Sequence, residues 1–169
     1  MSTANRVALV GLLVGLVACG GGPGDPSGAG HQLSDAIHLG SAKVISGQPI
    51  RGSLVIFNAG GPVNLSHGCR PGYAVILTNS HFPPQVVWPA NCVAGPFVIG
   101  HGTTNLPITV ATTYSACAQV GGSVTPRTPP CLADEPPPLP PGAYEAVLEW
   151  GGTVPLPAPP PVAVTLLAS

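Results

Sequence analysis

The sequence predicts an all-β sandwich, and three observations carry the prediction. No stretch of twelve residues places apolar side chains at helical spacing without an interrupting Pro or Gly. Short runs rich in Val, Ile, Leu and Thr alternate instead between apolar and polar positions. The 23 Gly and 23 Pro of the 169 residues cluster mostly between those runs, in 20–30, 126–141 and 155–161. There they mark turns and stiff connections. A hydrophobic share of 44% argues against disorder of the whole chain.

The elements follow in chain order. Residues 42–46, 63–66 and 97–100 are short strand candidates. Residues 53–58 (SLVIFN) are apolar on both faces, the pattern of an inner strand. Residues 73–79 (YAVILTN) and 85–88 (QVVW) read as a hairpin joined through 80–84. In 108–115 (ITVATTYS), Ile108, Val110, Thr112 and Tyr114 alternate with Thr109, Ala111 and Thr113. Gly142–Trp150 (GAYEAVLEW) sets Tyr144, Ala146, Leu148 and Trp150 on one side and Glu145 and Glu149 on the other. Val162, Val164 and Leu166 repeat the alternation near the end. About seven to nine short strands separated by turn signals form a sandwich. No repeat at a fixed period supports a parallel β-helix.

The N-terminus carries a different signal. Residues 1–6 are polar with one cation, Arg6, and 7–18 (VALVGLLVGLVA) are apolar without interruption. That run falls short of the ~20 residues needed to cross a bilayer and fits the h-region of an export signal. It ends in Leu16-Val17-Ala18-Cys19 before Gly20, which resembles the lipobox of bacterial lipoproteins. The resemblance implies a diacylglyceryl thioether on Cys19, cleavage before it and acylation of the new amino terminus. Two or more acyl chains hold a protein stably where one holds it marginally. The segment GGGPGDPSGAG (20–30) is a flexible tether. The expected organisation is a signal peptide over 1–18, a lipid-anchored Gly-rich tether over 19–41 and a β domain over 42–169, on the extracytoplasmic face of the cell membrane.

Besides Cys19, four cysteines remain: Cys69, Cys92, Cys117 and Cys131. An even number in an exported chain reads as two disulfides. Cys69 precedes the first strand of the expected hairpin and Cys92 follows the second, so a Cys69–Cys92 bridge would close its open end. Cys117 follows the strand at 108–115 and Cys131 lies in the Pro-rich connection, so a Cys117–Cys131 bridge would clamp that loop. Four cysteines allow three pairings, and these two are preferred on geometry. The absence of any CxxC pair argues against a zinc site or a redox-active pair.

Several of these segments carry a family resemblance. Leu139-Pro140-Pro141-Gly142-Ala143-Tyr144, followed by an alternating strand, resembles the approach to the penultimate strand of bacterial Ig-like envelope domains. The Pro-Gly turn with Tyr at the strand start is similar to a tyrosine corner. The Cys before a YAVILTN strand, the second Cys beyond it, LPITVATTYSAC and LPPGAY resemble a group of uncharacterised actinobacterial lipoproteins over about residues 43–168. The resemblance implies an Ig-like antiparallel sandwich and brings no activity with it. A more distant similarity, to proteinase-inhibitor domains of the BsuPI type, shares the sandwich and the PGxY turn. No reactive-loop motif accompanies it. The Ig-type inter-sheet disulfide is absent, so the bridges would staple loops or edges.

Composition narrows the function. Five Lys or Arg are too few to build a nucleic-acid surface. Six Asp or Glu leave little for acid–base catalysis, and no GxSxG elbow is present. Glu145 and Glu149, four residues apart on one strand, would stand about 13 Å apart, too far for a glycosidase pair. The histidines (His31, His38, His67, His81 and His101) show no spacing that forces them to converge on a metal. In the turn 79–84 (NSHFPP), Phe82 is the candidate partner contact, an aromatic at a hairpin tip. Trp88 and Trp150 read as packing residues. The run 134–141 (DEPPPLPP) reads as a stiff loop, despite its PxxP spacing. The expectation is a non-catalytic binding or structural domain without cofactor, meeting an envelope protein or wall component. A charged fraction of 7% leaves few solubilising groups and fits a surface that works against a partner. A proteinase inhibitor using 79–84 or 126–141 as bait, and a metal or small-ligand carrier, are the alternatives.

Overall fold

The structure, a computed structural model, describes residues 32–66, 70–82, 93–152 and 154–168. Among them there is no helix, and the fold is all-β. The strands are β1 (Leu33–Leu39), β2 (Lys43–Ile45), β3 (Ile50–Asn58), β4 (Val63–Asn64), β5 (Tyr73–Thr78), β6 (Val98–Ile99), β7 (Gly102–Val110), β8 (Gly142–Trp150) and β9 (Val162–Leu167). They form a three-stranded sheet, β1-β3-β7, a four-stranded sheet, β2-β9-β8-β5, and a small pair, β4-β6. All neighbours are antiparallel except β2, which runs parallel to β9.

Period-2 alternation turns one face of each large sheet inward. Leu33 and Ile37 of β1, Ile50, Leu54 and Ile56 of β3 and Ile108 and Val110 of β7 come from the first sheet. Val75 and Leu77 of β5, Tyr144 and Ala146 of β8 and Val164 and Leu166 of β9 come from the second. All of them belong to a single buried core. β8 occupies the range its sequence pattern indicates, with Glu145 exposed and Glu149 half-buried on the outward side.

Two elements depart from expectation, and a third lies partly outside the described residues. The segment 33–39, expected in the tether, is a strand paired with β3 along its whole length, so the domain begins before residue 42. Its alternation was obscured because the inward set Leu33, Asp35, Ile37 and Leu39 contains a carboxylate. The strand expected at 108–115 lies earlier, over Gly102–Val110. It contains Pro107, which is tolerated because β7 stands last in its sheet order. Of the expected hairpin, β5 is present and pairs with β8, while 85–88 lie outside the described residues. β3 packs so closely on β1 that a side chain at Gly52 would collide with the His38 carbonyl.

Three buried polar residues tie the connections together. Asn58 is fully buried, and its Nδ2 donates to the carbonyls of Gly61, Ile99 and Gly100 at 2.8, 3.2 and 3.2 Å. Its Oδ1 accepts from the Gly60 N–H at 2.9 Å, so one side chain holds the exits of both β3 and β6. Thr112 Oγ1 donates to the Gln48 carbonyl and accepts from the Gly47 N–H, both at 2.9 Å. The Ser46 hydroxyl donates to the Leu139 carbonyl. These bonds fasten the β2–β3 turn to the long connection between β7 and β8.

Candidate functional site

Phe82 lies where the chain leaves β5. Asn79 and Phe82 exchange backbone hydrogen bonds at 3.1 and 3.2 Å, and Asn79 Oδ1 also accepts from the N–H groups of His81 and Phe82. Thr78 Oγ1 donates to the Phe82 carbonyl at 2.7 Å. This Asx-type closure is what Asn and Thr do at turns. It turns the ring back onto the domain, so Phe82 is half-buried and is not an exposed hairpin tip. Its ring meets Tyr114 edge-on at 5.6 Å and tilts against Tyr144 at 6.2 Å.

Tyr144 is the fixed point of this aromatic group. It is buried in β8, and its hydroxyl donates to the Pro140 carbonyl four residues upstream at 2.9 Å. That is the bond the Pro-Gly-x-Tyr sequence implied. Burial, and next the neighbouring Tyr114, push its pKa up, while a hydrogen bond from Asn79 works the other way. The phenol therefore stays neutral through the physiological range.

Beside Phe82 lies a groove of about 270 Å³. One wall is residues 74–77 of β5, and the other is Thr109 and Ala111 at the end of β7. Phe82, Tyr114 and Leu139 supply apolar surface, and Arg127 is the one cation among the lining residues. The connection that carries Arg127 is braced. Cys117 and Cys131 are bonded, with their Cα atoms 4.9 Å apart. Ala118 donates to Pro129, and Cys131 donates back to Ala118, at 2.8 and 3.1 Å. Thr125 and Thr128 close a turn with reciprocal bonds of 3.1 and 3.0 Å, which presents Arg127. A second turn, between Leu132 and Glu135, holds Ala133 and Asp134 at φ of 51° and 66°, the left-handed pair of a tight hairpin.

The Cys117–Cys131 pairing matches the sequence reading. Cys69 and Cys92 lie outside the described residues, as do Cys19, His31, His67 and Trp88. The residues that follow the first two cysteines are joined, the Arg70 N–H donating to the Val93 carbonyl at 2.8 Å. The remaining histidines do not meet. His38 is exposed on β1, His81 sits in the Asn79–Phe82 turn, and His101 Nδ1 lies 3.2 Å from the Gly60 carbonyl. Among the described residues no cluster of three His, Cys, Asp or Glu side chains could hold a metal. Trp150 packs against Phe97 at 6.4 Å, and its Nε1 donates to the Val154 carbonyl at 2.8 Å.

One ionisable group went unnoticed in the sequence. Asp35, placed in the tether on composition, points to the core face of β1. Both its oxygens are buried without a hydrogen-bond partner. Burial pushes its pKa from 3.8 up to about 6, and its own backbone N–H offsets part of that rise. No feature of its immediate sequence marks it except its place in the alternation Leu33, Asp35, Ile37.

Comparison with family models, curated proteins and solved structures finds no match for this chain. The reading of function rests on its own residues.

Proposed function

We propose that this chain is an exported, lipid-anchored protein of the cell envelope whose Ig-like domain binds a partner and transforms no substrate. The observation that carries the reading is the Cys117–Cys131 bridge in a chain that opens with an export-signal pattern ending in Leu16-Val17-Ala18-Cys19. Disulfides of this kind persist outside the reducing cytosol, and the cysteine after the apolar run is placed for acylation. The strand order β1-β3-β7 and β2-β9-β8-β5 over one core supports an Ig-like sandwich. So does the Tyr144 bond to Pro140. The groove between β5 and β7 gives the domain a concave surface for recognition.

Membrane fractionation in a bacterial host that processes lipoproteins tests the anchor. The chain with its native N-terminus sediments with membranes and gains mass by acylation, and the Cys19→Ala form does neither. An unacylated wild-type chain, or a Cys19→Ala form that still sediments, refutes it. Cross-linking in living cells tests the binding role. A discrete envelope protein or wall fragment captured by the anchored form, and lost from the Cys19→Ala form, supports it. Capture of bulk envelope alone refutes it.

A further inference from the structure

We propose that the outward face of the β1-β3-β7 sheet binds a neutral polysaccharide, with a sugar ring stacked on Phe57 between the hydroxyls of Ser34 and Thr103. The proposal deepens the binding role above by naming its ligand, and it rests on that role.

The register builds the face. Leu33, Leu54, Ile56 and Asn58 point into the core, so their neighbours along each strand point out. Ser34 pairs with Phe57, and Phe57 pairs with Thr103, which sets the three in one row across the sheet. The next row is Ala36, Val55 and Asn105. His38, Ser53 and Pro107 follow, and Arg51 stands at the far end of β3. Ser34, Phe57, Thr103 and Asn105 are exposed, so the face is open to solvent.

Its chemistry differs from that of the other outer face. The four-stranded sheet turns charge outward, with Lys43 and Glu145 exposed and Glu149 half-buried. The three-stranded sheet holds no acid on its outward side, and its one permanent charge is Arg51, at the end away from Phe57. It offers hydroxyl and amide groups around an aromatic ring that is 46% exposed. A polyanion is recognised by a field of cations, and one arginine does not make one. Uncharged donors and acceptors match a ligand of uncharged hydroxyls.

A sugar ring has the complementary pattern. Its two faces carry C–H groups, which are attracted to the negative face of an aromatic ring. Its rim carries hydroxyls, and these meet Ser34 and Thr103, whose Cβ atoms stand about 5 Å to either side of that of Phe57. Ala36 and Val55 are shorter than Phe57. The second row therefore forms a lower floor for the next sugar, with the Asn105 amide beside it.

Size separates a glycan from a protein partner. Three strands span about 10 Å, and the stretch from Phe57 to Arg51 about 20 Å, an area of roughly 200–300 Å². A stable protein interface takes ~800 Å² from each partner. The same limit argues against a second copy of this chain. A linear polysaccharide, one ring wide and laid flat, fits the strip.

The test uses the full chain with its native N-terminus, disulfides oxidised, in a detergent that carries no sugar. It is sedimented with insoluble chitin, cellulose and mannan, and with cross-linked polygalacturonate as the acidic counterpart. Calorimetry with the matching soluble hexasaccharides gives affinities. The chain sediments with at least one neutral polymer and not with polygalacturonate. Phe57→Leu, which keeps apolar bulk without a π face, weakens binding about threefold to tenfold, whereas Phe57→Trp retains it. Asn105→Ala also weakens it, and Glu145→Gln, on the opposite face, leaves it unchanged. Sedimentation with washed walls of the host as well supports a wall polysaccharide; sedimentation with the purified polymers alone supports an external one. Failure to bind any neutral polymer overturns the proposal, as does binding that Phe57→Leu leaves unchanged. Binding confined to polygalacturonate overturns it in favour of charge recognition. A dimer in analytical ultracentrifugation that Phe57→Leu dissociates overturns it in favour of a second copy. If no neutral polymer binds while cross-linking in cells still captures a discrete envelope protein, this proposal fails and the binding role stands.

Discussion

Replacing Asp35 by asparagine removes a charge from a place where no partner meets it. Asp35 faces inward from β1, opposite Ile56, with Leu33 and Ile37 as its neighbours on the same face. Its carboxylate oxygens are buried with no hydrogen-bond partner outside residue 35 itself. The group's pKa rises from 3.8 to about 6, so the folded state holds the proton more tightly than the unfolded chain. Stability is then fullest below pH 3.8, falls as pH rises toward about 6, and stays at the lower level above it. A rise of that size corresponds to about 3 kcal/mol when the group is ionised. The residue is only half-buried at the sheet edge, and screening by water reduces this to about 1–2 kcal/mol. The asparagine amide carries no charge, so thermal unfolding of the Asp35→Asn chain lacks this pH dependence. The difference in Tm between variant and wild type should shift in the variant's favour by roughly 4–8 °C between pH 4 and pH 7. Any fixed cost of burying the amide cancels, because only the change with pH is read. A difference that is flat across that range would show that Asp35 is not a buried charge and would refute the argument.

Four further outcomes follow from the same structure. Tyr144→Phe leaves the ring packed but removes the donor to the Pro140 carbonyl, and should cost about 1–2 kcal/mol in urea unfolding; an unchanged midpoint would remove the corner's structural role. Asn58→Ala strips the donors from three backbone carbonyls and the acceptor from Gly60, and should cost about 2–4 kcal/mol. A loss below about 1 kcal/mol would mean that water replaces the side chain without penalty. Cys117→Ser with Cys131→Ser opens a short loop and should lower stability by about 3 kcal/mol. On reduction of the wild type, intact mass should rise by about 2 Da for this bridge and about 4 Da if Cys69 and Cys92 form a second.

The elements legible in the sequence were those whose alternation was uninterrupted. β8 and β9 showed clean inward sets, Tyr144 to Trp150 and Val162 to Leu166, and each ran between turn residues. β5 was as plain, an apolar run ending at Asn79. β1 escaped because Asp35 stands at an inward position and breaks the apolar series. The start of β7 escaped because Asn105 and Pro107 read as a break, although an edge strand accepts both. The candidate site was legible only in pieces. Phe82 was singled out, but as an exposed tip, because the turn that folds it back depends on hydrogen bonds from Asn79 and Thr78. Tyr114 and Arg127 were not linked to it, since they enter from a connection more than thirty residues away along the chain.

The sequence by itself determined the all-β class and most strand positions, and it favoured Cys131 as the partner of Cys117. Those properties are written in neighbouring residues: period 2, turn chemistry, and the spacing of cysteines around a loop. Only the tertiary structure decided that β5 and β7 bring their edges together, that Arg127 stands over the space between them, and that the Asp35 carboxylate is buried. Burial and juxtaposition depend on which strands pair across the fold. That choice is made by the whole core at once, with no single segment carrying its record.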